Sequence, residues 1–224
     1  RNLLFFCTSE GTIYVFDIMK NKIVNFICTG EGVLTSILII SHAKIIVSTS
    51  CGKIIMFSEN VNEVNYGHAS SIWNFAVSEN YLSSVGADGV IKLYDAKKGK
   101  LLASKRIGSR WINAVDFFKD HIVCITSFGE IYRLNHNLEV IAEVRVKDEW
   151  FNNFVIIKDK LIVVTANGYI YCFSMSDLSK IYSLKISEFQ LIDIETISEN
   201  RIVIVSTEGE LVLFDWMNCI EIYK

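Results

Sequence analysis

Residues 67–100 read GHASSIWNFAVSENYLSSVGADGVIKLYDAKKGK. The runs SIWNFAV, YLSSV and VIKLY, followed by KLLASKRI, are separated by the short polar breaks SEN, GADG and DAKKG. Short runs rich in β-branched and aromatic residues, bounded by Gly, Asn, Asp and Ser, predict four β-strands joined by tight turns. The third run is apolar on both sides, with Ile at one face and Tyr at the other. A sheet built from such strands must be covered on both faces.

The same heptad recurs along the chain: GTIYVFD from Gly11, GKIIMFS from Gly52, GVIKLYD from Gly89, GEIYRLN from Gly129, GYIYCFS from Gly168 and GELVLFD from Gly209, at intervals of 41, 37, 40, 39 and 41 residues. Each column has a mechanical meaning. Glycine takes the φ a tight turn needs, apolar and aromatic residues fill a strand, and the Asp, Ser or Asn six positions on ends it. A four-stranded sheet repeating every ~40 residues and sandwiched between its own copies predicts an all-β fold, a β-propeller of about six four-stranded blades. A β-sandwich would not require six matched copies, and no 3.6-residue periodicity is long enough for a helix. The expected domain is a single propeller over 1–224, with units 1–29, 30–66, 67–107, 108–147, 148–187 and 188–224. The first unit lacks its first strand and the last ends in EIYK, so the ring is expected to be an open six-unit one or most of a seven-bladed one.

Composition bounds the class of protein. Twenty-two Lys and Arg against 25 Asp and Glu give a net charge of -3 on 224 residues, with 51% hydrophobic and 21% charged. That balance argues against bulk electrostatic capture of nucleic acid, and unbroken apolar stretches fall far below the ~18 residues of a membrane helix. No membrane contact is expected. The six cysteines show no CxxC pair and no disulfide framework, which predicts reduced thiols and an intracellular address, cytoplasmic or nuclear. The cysteines read as small apolar core substitutes. Because the chain opens on Arg1 and runs straight into NLLFFCT, it is expected to be part of a longer polypeptide.

The 67–100 unit resembles a WD-repeat: Gly67 and His68 stand where a Gly-His pair opens the unit, and Tyr94 and Asp95 stand at the Trp-Asp end. A weaker likeness extends over all six units. The resemblance implies a hydrogen-bonded network bracing the blade, carried over by position to His68, Ser84, Asp88 and Tyr94. Tyrosine in place of tryptophan changes the donor geometry of the last link. Glu10, Cys51, Phe128, Asn167 and Glu208 hold the Asp88 position elsewhere, so the network is not expected to be general. The rival quinoprotein-type repeat matches only at Lys97-Lys98-Gly99-Lys100 and lacks its closing tryptophans.

No catalytic or phosphate-binding motif is present. The four histidines have no ligand spacing, so neither metal nor cofactor is expected. His121 and Cys124 are near in sequence but point to opposite faces of a strand. Asp116, Asp193 and Glu195 could approach one another, as acids do in many repeat folds. The chain is read as having no catalytic residues and no small-molecule substrate.

Two surfaces are candidates for binding. Aligning first strands on the glycines places Trp111 and Trp150 in equivalent positions, with Trp73 two positions later in its own unit. Together with Asn113, Phe128, Asn152, Asn167 and Asp193 they predict an aromatic cluster with polar neighbours, the composition of protein-binding hot spots. The alternative is that the tryptophans wedge between blades. The second surface is basic: Lys97, Lys98, Lys100, Lys105, Arg106 and Arg110. They would suit RNA, or, in the favoured reading, they guard the outer edge strand of a blade. WD-repeat resemblance implies a non-catalytic scaffold or adaptor for other proteins in a multiprotein or ribonucleoprotein complex. An RNA-associated partner subunit, for example of a tRNA-modifying or ribosome-linked assembly, is the alternative, and a quinoprotein-like enzyme the third reading.

Overall fold

The computed structural model describes residues 2–41, 44–58, 62–108 and 111–223, and all regular structure among them is β-strand. The chain divides into two compact units, Arg1–Ile107 and Gly108–Lys224.

The first unit holds three antiparallel sheets. The first contains β1 (Leu3–Cys7), β2 (Thr12–Asp17) and β3 (Lys22–Cys28); the second contains β4 (Leu34–Ser41), β5 (Lys44–Thr49), β6 (Lys53–Ser58) and β7 (Asn62–Tyr66); the third contains β8 (Ile72–Val77), β9 (Tyr81–Gly86), β10 (Val90–Asp95) and β11 (Leu101–Arg106). The second unit holds three more, each four-stranded: β12 (Ile112–Phe118), β13 (His121–Thr126), β14 (Glu130–Leu134) and β15 (Val140–Arg145); β16 (Phe151–Ile157), β17 (Lys160–Thr165), β18 (Tyr169–Ser174) and β19 (Lys180–Lys185); β20 (Leu191–Ser198), β21 (Arg201–Ser206), β22 (Leu211–Asp215) and β23 (Ile220–Tyr223). Within every sheet the strands pair in sequence order as a meander.

Period-two alternation explains the doubly apolar strands, since successive side chains leave a strand on opposite faces. In β17, Leu161 and Val163 pack with Val123, Ile125 and Ile131 of the preceding sheet, while Ile162 and Val164 pack with Leu191, Ile202 and Ile204 of the next. All four β17 residues are fully buried. The first unit repeats the pattern: Ile45 and Val47 meet Ile13, whereas Ile46 meets Ile72 and Leu82. Each such side chain contributes roughly 1.5–3 kcal/mol on burial.

The repeated polar column ends its strand by capping the following turn. Asp95 Oδ1 accepts hydrogen bonds from Lys97 N and Lys98 N at 2.9 and 2.8 Å, and Asp215 Oδ1 accepts from Met217 N and Asn218 N, both at 3.1 Å. Asp17 and Asn135 do the same in their own turns. A short oxygen-bearing side chain held one turn from the backbone N–H groups is what such turns require.

The glycine column answers to a second demand. After leaving its sheet, the chain crosses over the glycine: Gly52 O accepts from His68 N at 2.8 Å and Gly168 O from Ile186 N at 3.0 Å. Gly168 has φ +80, and a Cβ there would lie 1.9 Å from Ser187 O; Gly30, inside the chain, has φ +74 with nothing among the described residues within 4 Å of its Cβ position. Gly30→Ala should therefore cost only the left-handed backbone penalty, about 1–2 kcal/mol, and Gly168→Ala clearly more, because backbone must also move. Urea unfolding of the two variants measures the difference; equal losses would refute the crossing argument.

Candidate functional site

The first strand of five sheets carries one extra residue, seen as a register shift around Thr35, Trp73, Asn113, Asn152 and Ile192. At three of these bulges the side chain reaches the next sheet. Thr35 Oγ1 donates to Ile72 O at 2.5 Å, Asn113 Nδ2 to Phe151 O at 2.6 Å and Asn152 Nδ2 to Leu191 O at 2.6 Å. A bulge turns its side chain off the regular alternation, which lets it bond sideways. Asn113 and Asn152, expected on a binding rim, are thus half-buried ties between sheets. Trp73, at the bulge of β8, is half-buried within the first unit. Asp193 is exposed on β20 and accepts from Asn153 Nδ2 at 2.5 Å.

In the third sheet the bracing network is centred on His68. Its Nδ1 lies 2.9 and 3.0 Å from the two Asp88 oxygens, and its Nε2 lies 2.7 Å from Ser84 Oγ. Asp88 also accepts from Ala69 N and Val90 N. Burial pushes the Asp88 carboxyl up, but the hydrogen bonds from His68 and the two backbone N–H groups outweigh it and leave the acid below its ordinary range. Burial also holds His68 below its ordinary value, against the raising effect of Asp88. The neutral ring then donates from Nδ1 to Asp88 and accepts at Nε2 from the Ser84 hydroxyl. Tyr94 does not join: its buried hydroxyl has no hydrogen-bond partner among the described residues. Burial raises it to about 12, with Ser84 near enough to temper the rise but outside bonding geometry. A phenol carries its donor at the far tip of the ring, whereas an indole carries it on the flank.

The network's place is kept in other sheets with other chemistry. The loop entering the first strand is tied to the glycine turn by Lys53 to Glu31 at 2.8 Å in the second sheet and by Ser187 Oγ to Glu210 at 2.6 Å in the sixth. In the fifth, Glu149 accepts from Tyr171 Oη at 2.8 Å and from Asn167 Nδ2 at 3.2 Å. The position of the tie recurs in these four sheets although the residues do not.

Beside that last tie lies the aromatic cluster. Trp111 and Trp150 are 43% and 39% exposed, with ring centroids 5.8 Å apart in an edge contact, and Phe128 stacks 6.3 Å from Trp150. Phe128, Trp150 and Asn167 line a cleft of about 420 Å³ together with Ser127, Arg145, Asp148, Glu149 and Ala166. Their loops are fixed by backbone bonds: Trp111 O accepts from Ser127 N at 3.1 Å and Trp150 O from Ala166 N at 2.9 Å. Holding the carbonyls inward leaves the indoles outside. The charged residues of this cleft were not singled out in the sequence. Their signal is the run VKDEW just before a first strand, with Asp148 at φ +60.

The basic residues do not form one patch. Lys97, Lys98 and Lys100 lie before β11, and Lys105 and Arg106 lie at its far end, about 17 Å away at ~3.3 Å per residue. Arg106 Nη1 donates to Asp88 O at 2.6 Å. Among the described residues β11 pairs with β10 alone, so these cations flank an outer strand. Arg110 and His42 lie outside the described residues.

Cys124 and Cys172 are buried, their thiols pushed by burial up to about 12 and about 11, but Cys28, Cys51 and Cys219 are exposed. The core reading of the cysteines thus fails for those three, which sit in a strand or turn facing water. Asp116 is raised by burial and by the charge of Glu195. Among the described residues no group of three His, Cys, Asp or Glu could hold a metal ion, and no helix is long and apolar enough to cross a membrane.

No protein-family model and no curated protein match the chain. Among solved structures it is similar to the computationally designed Ika8 protein, with a TM-score of 0.83 over 99% of this chain and 70% of that one, at 17% identity. A likeness at that identity speaks to the fold alone.

The lowered pKa of His68 fixes a pH dependence. Below its unfolded value of about 6.5, the unfolded chain takes up a proton that the folded ring resists, so stability is present above that pH and declines as pH falls towards the folded value. The unfolding temperature of the protein should drop between pH 7.5 and pH 5, and the drop should shrink in His68→Gln. A drop of the same size in the variant would remove His68 as its cause.

Proposed function

We propose that the six sheets are the blades of a WD-repeat-like β-propeller and that the protein is a non-catalytic scaffold or adaptor for other proteins in an intracellular complex. The observation that carries this reading is the pair of exposed indoles of Trp111 and Trp150, with Phe128, beside an open cleft. Large aromatic rings with part of their surface in water on fixed loops cost solvation that a partner recovers, and they lose little side-chain freedom on docking. The His68–Asp88–Ser84 geometry supports the WD-like part of the reading. The separation of the basic residues favours their role at a sheet edge over a shared phosphate site.

Changing Trp111 and Trp150 together to Ala should leave a cooperatively folded protein whose unfolding temperature is lowered by several degrees, about 2–4 °C for each kcal/mol of packing lost in a protein this size. The same double variant should lose the proteins that the unaltered chain captures from native extract, read by mass spectrometry. Global unfolding of the variant would return the rings to a packing role, and unchanged capture would move the docking face elsewhere.

A further inference from the structure

Around the tryptophan face the charges are lopsided. A second cleft of about 300 Å³ shares Arg145 with the first and is lined by Glu130, Tyr132, Glu143 and Val144. The linings of the two clefts carry the carboxylates of Glu130, Glu143, Asp148 and Glu149 against the guanidinium of Arg145, and beside them the exposed ammonium of Lys147 lies 3.9 Å from Asp148 Oδ2. Two of those acids are held in place: Glu149 by Tyr171 and Asn167, and Glu130 by Thr126 Oγ1 at 2.8 Å. Asp148 stands out with its side chain 85% exposed. Tyr132 reports the local field: burial, then Glu130 and Glu143, push its hydroxyl up to about 12 in spite of Arg145. In the wall of the first cleft, Ser127 is 1% exposed, and its hydroxyl has no hydrogen-bond partner among the described residues.

We infer that the segment which docks here is a basic peptide, seating one lysine or arginine stem on Trp150 and Phe128 with its cationic head at Asp148 and Glu149, and a second at Glu130 and Glu143. This rests on the docking-face reading above. An aliphatic stem covers apolar ring surface while its charge stays at the polar rim, and an aromatic face itself attracts a cation. Arg145, common to both clefts, has N–H donors for a backbone carbonyl between the two cationic side chains.

The test uses a glycine-spaced peptide with two lysines, blocked at both ends, its acetyl-lysine counterpart and its glutamate counterpart. Binding to the full chain is followed by titration calorimetry and by tryptophan fluorescence. The lysine peptide should bind, should lose at least tenfold in affinity on acetylation, and should weaken as salt rises. Asp148→Asn and Glu143→Gln, neither of which ties the fold, should each weaken it about two- to fivefold. Equal binding of the acetylated peptide, or stronger binding of the glutamate peptide, would overturn the inference. If the Trp111/Trp150 variant loses its captured proteins while the lysine peptide fails to bind, the docking face stands and its basic ligand falls. If capture is untouched by the tryptophan changes, the face itself is wrong.

Discussion

The structure depends on one close approach, the passage of the chain over the glycine turn of the sheet it is leaving. At Gly11, Gly52, Gly129 and Gly168 a Cβ would fall between 1.8 and 2.3 Å from a backbone oxygen of the crossing segment. At Gly52 and Gly168 the glycine carbonyl holds that segment by accepting its N–H groups. The crossing sets where the next first strand begins, and hence the height at which one sheet meets another. Everything that repeats downstream, the bulge and its sideways hydrogen bond, the alternating core and the loop tie, is registered on that point.

What the sequence makes legible is what this register demands of residue type. Only glycine satisfies both the positive φ and the missing Cβ, and few residues besides Asp, Asn and Ser cap the turn six positions later, so those columns stand out. The loop ties do not, because Lys53–Glu31, His68–Asp88 and Ser187–Glu210 satisfy the same geometric need with different donors and acceptors. That Asn113 and Asn152 tie neighbouring sheets is not legible, because a bulge leaves no mark in the alternation of hydrophobicity, and one inserted residue exchanges outward for sideways. The basic residues were near in sequence and far apart in space because an extended strand lies between them.

Hydrophobic patterning is also silent about which faces are covered. In the first sheet Phe6 stacks on Tyr14 at 5.4 Å, with Phe26 6.4 Å beyond, and Leu4 and Phe26 remain 52% and 60% exposed. By their distance from the glycine, Leu4 and Phe6 correspond to Ile45 and Val47, which are buried against the first sheet. The same sequence pattern thus accompanies buried side chains in one sheet and exposed ones in another, and the pattern by itself does not say which.

That the loop ties tolerate such varied chemistry leaves side chains of one loop exposed rather than committed to bracing. Between Val146, whose N–H bonds Gly129 O, and Trp150, whose carbonyl bonds Ala166 N, the chain is fixed at both ends through its backbone. The side chains in between are released from any duty except the tie made by Glu149. Asp148 and the exposed part of the Trp150 indole thus stand on a segment held through its backbone, and in the proposed docking reading part of their conformational freedom is lost in folding rather than in binding. Moving the tie to backbone and to one carboxylate is what separates this loop from its counterpart at His68, where the side chains face inward and brace the sheet.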